Sequence, residues 1–135
     1  MSYKIEEIEG IGAMYADALR QVGIDTTADL LARGATPAGR RELADTTAIS
    51  PKLILRWVNH ADLFRIKGVA GQFAELLEAS GVDTVKELRH RVPANLHARL
   101  EEVNAERHLT GRVPALAEVE RMVAEAADLE PVVTY

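Results

Sequence analysis

Two short runs hold the residues whose types and spacing suit binding chemistry: Ile8-Glu9-Gly10-Ile11-Gly12 and Ile66-Lys67-Gly68-Val69-Ala70-Gly71. Each sets one apolar residue two positions before a glycine and another directly after it. Glycine lacks a Cβ, so it takes positive φ and lets backbone approach another surface closely. The central apolar residue can plug the turn into a core. A tight hairpin between two helices results, with N–H groups facing outward where the second helix starts. Such helix starts suit anions, phosphate above all.

The charges around the two turns differ. Glu6, Glu7 and Glu9 precede the first, and Ala13 and Met14 follow it, a poor cradle for phosphate. Arg65 and Lys67 precede the second and Gln72 follows it. Neutralised phosphates supply most non-specific affinity for nucleic acid, so the second turn is the better furnished. Further cations cluster at Arg33, Arg40 and Arg41, and at Lys86, Arg89, His90, Arg91, His97 and Arg99. They could line one face, but pairing with Glu42, Asp45, Glu87, Glu101 and Glu102 as ordinary surface charge is the favoured reading.

Other chemistry is thin. His60-Ala61-Asp62 is one dipeptide spacing, and His90, His97 and His108 lack a ligand spacing for metal. Ser50 reads as a helix cap rather than a nucleophile. Neither a phosphate-binding loop of the Walker type nor a dinucleotide fingerprint is present. No catalytic residue, metal or cofactor is assigned, and the chain reads as non-enzymatic.

The elements that position these turns follow from an internal repeat. A shift of 58 residues lays Ile8–Leu30 over Ile66–Leu88: Gly10 on Gly68, Ile11 on Val69, Tyr15 on Phe73, Leu19 on Leu77 and Gly23 on Gly81. In each unit a helix runs to a stop glycine, and an Asp-Thr pair caps a second helix. These span about 12–22 and on to about Arg33 in the first unit, with the counterpart ending near Arg91. A short helix is expected over about 37–45. Ser50-Pro51 opens a helix over 51–64 whose Leu53, Ile54, Trp57, Val58, Ala61 and Phe64 form a core-facing stripe. Trp57 in that stripe reads as packing, not as a stacking platform. Pro93 opens a helix with Leu96, Leu100 and Val103. Pro114 opens the last, with Leu116, Val119, Met122, Val123 and Ala126 on its apolar side. The tail from Pro131 reads as extended, docking on the body or adding to a partner's surface. Nothing alternates well enough for a sheet.

The 135 residues suit one compact domain or two small ones packed together, and an apolar fraction of 47% can build a core. A net charge of −5 argues mildly against a general polyanion binder without excluding a local patch. With no cysteine there are no disulfides or thiolate sites. No run approaches the roughly 18 apolar residues of a membrane span, and the first residues are not a signal peptide, so a cytoplasmic protein with no membrane partner is expected.

The turns resemble the helix-hairpin-helix family, whose pattern is apolar-x-Gly-apolar-Gly followed by a helix with small and apolar positions. Ile8, Gly10, Ile11, Gly12, Ala16 and Leu19 match it; Ile66, Gly68, Val69, Ala74 and Leu77 also match, but Ala70 replaces the second glycine and Gly71 comes one place late. The resemblance implies hairpin amides that grip a phosphate of double-stranded DNA without reading sequence. The positions concerned are Gly10, Gly12 and Ala13 in the first unit and Gly68, Ala70 and Gly71 in the second, with Arg65 and Lys67 beside them. The Ala70 Cβ would tend to hold a phosphate away. Nearly the whole chain is similar to a bacterial domain-of-unknown-function family, number 4332, on Ile8–Gly12, Ile49-Ser50-Pro51, Arg56-Trp57-Val58-Asn59, Ala61-Asp62-Leu63 and Val133-Thr134-Tyr135. It implies an all-α fold of two consecutive helix-hairpin-helix (SAM-like) units, residues 1–65 and 66–135, packed as one compact protein. The expected function is weak, sequence-independent DNA binding, mainly through the second hairpin. The alternative is a protein-interaction or scaffold module, homodimeric or with another partner.

Overall fold

Side-chain capping sets half of the α-helix starts. The computed structural model describes residues 2–69 and 71–135. A 3-10 turn at Ile5–Glu7 leads into α1 (Ala13–Gln21), α2 (Thr27–Gly34), α3 (Pro37–Thr47) and α4 (Pro51–Leu63). Then come α5 (Gln72–Ala79), α6 (Val85–Leu88), α7 (Pro93–Arg107) and α8 (Leu116–Asp128). The chain is all α; among the described residues, extended backbone pairs only in an isolated bridge between Lys4 and Thr26. The Thr26 hydroxyl accepts from the Asp29 N–H at 3.1 Å while the Asp29 carboxylate accepts from the Thr26 N–H at 3.1 Å, a reciprocal cap on α2. The Asp25 N–H first, then the Thr26 hydroxyl and N–H, hold the Asp29 carboxyl below its ordinary value. Thr84 caps α6 through the Glu87 N–H, and Ser50 caps α4 with Pro51 behind it. Each such cap contributes about 1 kcal/mol.

The repeat is one of main-chain geometry as well as of side chains. Gly10 and Gly68 take φ of 96° and 86°, and Gly23 and Gly81 take 87° and 94°. The Ile11 N–H donates to the Ile8 carbonyl as Val69 does to Ile66, both at 3.1 Å. Ile24 bonds back to Leu19 as Val82 does to Leu77.

The units diverge where prolines and lengths differ. The second turn follows the full helix α4; the first follows only a 3-10 turn, not the helix expected there. α6 ends at Leu88, short of Arg91, since Pro93 at the start of α7 keeps Val92 extended (φ −81°, ψ 118°). α8 starts at Leu116, not at Pro114, with Ala115 extended before it, and Leu116 is exposed rather than on the apolar side.

One apolar core runs from Ile5 to Val133 and draws on both units. Ile54, Trp57, Val58, Ala61 and Phe64 are buried along α4, against which α2 and α3 pack. Each large side chain in that stripe adds about 1.5–3 kcal/mol by leaving water. α2 presses close on α4 at Gly34, where a Cβ would lie 2.4 Å from Val58 Cγ2. α7 and α8 pack together in the second half through Leu100, Val103, Val119 and Met122.

The tail docks back on the first half. The Thr134 N–H donates to the Ala35 carbonyl at 2.8 Å. Buried Arg40 ties the two segments, donating through Nη1 to Gly34 and Ala35 (2.9 and 3.1 Å) and through Nη2 to Thr134 (2.7 Å). Its guanidinium also lies over the Tyr135 ring, 5.6 Å from the centroid. That ring is mostly exposed, but its hydroxyl end donates to Asn59 Oδ1 at 2.9 Å. Burial there, ahead of the Asp83 and Asp62 charges, pushes the phenol up to about 12.

Candidate nucleic-acid interface

At the first turn, Gly10 takes the positive φ and Gly12 becomes the N-cap of α1 with no side-chain cap. Gly10, Gly12 and Ala13 are all exposed, and a Cβ on Gly12 would meet nothing within 4 Å. Among the described residues, no acceptor serves the N–H groups of Gly12, Ala13 and Met14. Ile11 plugs the core as expected. Beneath the turn lies Trp57, whose Nε1 would stand 3.5 Å from a Cβ on Gly10 and has no hydrogen-bond partner among the described residues. The Tyr15 ring meets Trp57 edge-on at 5.0 Å. The glutamates are not equivalent: Glu6 is paired with Arg20 at 2.6 Å, which together with a backbone bond holds its carboxyl low. Glu7 and Glu9 stay exposed.

At the second turn Gly68 is exposed and Gly71, also at positive φ, is the N-cap of α5. Ala70 lies outside the described residues. Arg65 is not free to meet a ligand: Nη1 donates to Asp62 at 2.8 Å and Nη2 to the Glu130 carbonyl at 2.8 Å. The exposed Lys67 and Arg121 have no carboxylate partner among the described residues, and Arg121 Nη2 comes within 3.8 Å of where a Gly68 Cβ would stand. The Lys67 N–H, in contrast, points at the Glu125 carboxylate, 3.3 and 3.2 Å from its two oxygens.

The residue before the first turn meets the N-cap of α5. The Glu7 carbonyl would lie 3.7 Å from a Cβ on Gly71, and Glu7, Gly71, Gln72 and Phe73 line an open groove of about 380 Å³. Sequence periodicity could not foresee that contact.

The pattern matches the family model described as "Domain of unknown function (DUF4332)" over residues 9–129. The chain belongs to this family. No curated protein and no solved structure matches it. The DUF4332 match spans both glycine turns and every α-helix named above.

In this DUF4332 chain five cations of the two sequence clusters are engaged within the fold. Arg33 donates to the Val22 carbonyl at 2.8 Å, Arg91 to the Gly81 carbonyl at 3.4 Å, and Arg40 is buried against the tail. Arg99 pairs with Glu102, and His97 with Glu101. Arg91 also pairs with Glu87 at 3.9 Å, so the expected surface pairing holds at Glu87, Glu101 and Glu102, while main-chain carbonyls take Arg33 and Arg40.

His60 and Asp62, two positions apart in sequence, have separate tasks. Asp62 accepts from Arg65 and from the Val85 N–H at 2.8 Å, tying α4 to the start of α6. His60 is fully buried, with Nε2 3.1 Å from Glu78 Oε2 but without the alignment of a directed hydrogen bond. Burial raises the Glu78 carboxyl, yet His60 and then Arg56, 3.1 Å away, outweigh it and hold the group below its ordinary value. Among the described residues, no three His, Asp or Glu side chains gather to hold a metal ion, and no helix is long and apolar enough to cross a membrane.

Proposed function

We propose that this chain is a non-enzymatic module of two helix-hairpin-helix units that binds nucleic-acid backbone, double-stranded DNA foremost, weakly and without sequence preference. The observation that supports it is the contact that brings the approach to the first turn onto the second, where the Glu7 carbonyl would lie 3.7 Å from a Cβ on Gly71. One turn offers uncapped amides at Gly12 and Ala13, and the other offers the cations Lys67 and Arg121. Backbone phosphates fit that division of labour: amides orient one and cations neutralise another. The acidic total and the exposed Glu7 and Glu9 keep the affinity in the non-specific range, about 10⁻⁴ to 10⁻⁶ M at physiological salt.

A second reading, a protein-interaction module with another partner or a second copy, is favoured by one observation. Met14, in the first turn of α1 just after the glycine turn, is 83% exposed. An anisotropy titration with labelled duplex and single-stranded DNA at low and moderate salt separates the two. The nucleic-acid reading expects binding that falls steeply with salt and is clearly lost in Lys67→Glu. Absence of binding at low salt with tens of micromolar protein ends it, and light scattering then tests for self-association.

A further inference from the structure

The second glycine turn already holds an anion, and the anion comes from the chain itself. The Lys67 N–H faces both oxygens of Glu125 at 3.3 and 3.2 Å. One helical turn earlier on α8, Arg121 reaches toward Gly68. Just past α8, the Glu130 carbonyl accepts from Arg65 at 2.8 Å. The C-terminal half of α8 therefore clasps the turn at three points. Packing alone does not demand this. Val119, Met122 and Ala126 form the buried face of α8, and Glu125 lies on its flank.

We propose that Glu125 is an intramolecular competitor: its carboxylate takes the Lys67 N–H beside the cations Lys67 and Arg121, the cradle of the second turn, and holds down the affinity for phosphate. The proposal rests on the nucleic-acid reading above and names its regulation. One N–H cannot serve a carboxylate and a phosphate oxygen at full strength together, and the Glu125 charge also offsets Lys67 and Arg121 beside it. The apparent affinity is the intrinsic one reduced by the fraction of time that the cradle is free.

The test is duplex binding by anisotropy at low salt for the parent chain, Glu125→Gln, Glu120→Gln and the double variant Glu125→Gln/Lys67→Glu. Glu120 is an exposed glutamate on the same helix, so its variant makes the same charge change away from the turn. The expected result is about tenfold tighter binding by Glu125→Gln, as for a cradle filled about nine-tenths of the time. Glu120→Gln should stay within about twofold, and the double variant should lose the gain. Equal tightening by both glutamine variants, or none by Glu125→Gln while the parent binds, overturns the competitor and leaves the nucleic-acid reading standing. Binding by no variant overturns both. If Glu125→Gln melts at a lower temperature, the parent alone decides: the Lys67 amide resonance must follow a carboxylate titration, and failure to do so overturns the proposal.

Discussion

Arg33 and Arg91 occupy equivalent places in the two repeats, and each turns its guanidinium back onto a carbonyl at the end of its unit's first helix, Val22 and Gly81 respectively. The last carbonyls of a helix lack intrahelical donors, so a cation there answers both the hydrogen bond and the helix dipole. Replacing either arginine by Met keeps the apolar stem and removes the donors. Each change should lower stability by about 0.5–1.5 kcal/mol in urea titrations, with the larger loss at Arg33, whose contact is the shorter. Duplex affinity should hardly move; a large loss would put these arginines in the interface after all.

Gly12→Asp should push stability and binding in opposite directions. The new carboxylate has room and can accept from the uncapped amides of α1, adding a few tenths of a kcal/mol over glycine. The same carboxylate fills the place of a phosphate, so duplex binding should weaken at least about fivefold. Unchanged binding in a variant that melts no lower would remove the first turn from the interface.

Arg40 gives a test of the fold alone. Arg40→Ala abandons three carbonyls, and charged hydrogen bonds of this kind put the loss at about 3 kcal/mol. Arg40→Lys should recover little, because one ammonium cannot span the fork between Ala35 and Thr134. Urea midpoints measure the loss, and limited proteolysis should find the tail released.

The Glu78 group predicts a term in acid stability. Its folded pKa lies below the ordinary 4.5, so the ionised form favours the fold. That contribution is present above about pH 4.5 and is lost as pH falls through the depressed folded value. Nearby Asp83 works in the opposite sense: burial first, then Glu87 and Glu78, raise its pKa, so its penalty is relieved as pH falls. Glu78→Gln removes the first effect and weakens the second. The stability gap between parent and variant should therefore narrow between pH 7 and pH 3 in urea titrations; a constant gap would mean that Glu78 acts through packing alone.

Much of the fold is legible in local chemistry. Thr26, Thr84 and Ser50 cap where their positions before helical stripes say they should, and the period of Ile54, Trp57, Val58 and Ala61 marks their burial. Even the repeat is visible, because matched glycines at positive φ leave a residue-level trace. What is not legible joins distant segments. Arg40 reads as a surface cation until Thr134 arrives from the far end of the chain, and no local pattern marks Glu125 as the partner of the Lys67 amide. The placing of the approach to the first turn against the second depends on how α4 carries the chain between them. A helical period gives the face of α4 but not its direction.

The contact between Thr134 and Ala35 also bears on how the molecule comes apart. The last described residues complete a surface that begins in the first repeat, so the second repeat cannot melt without stripping Arg40 of an acceptor and opening the first. Unfolding should be a single transition, with equal calorimetric and van't Hoff enthalpies. A fragment ending near residue 65 should not keep a native core. Duplicated in sequence, the two halves should melt as one cooperative unit.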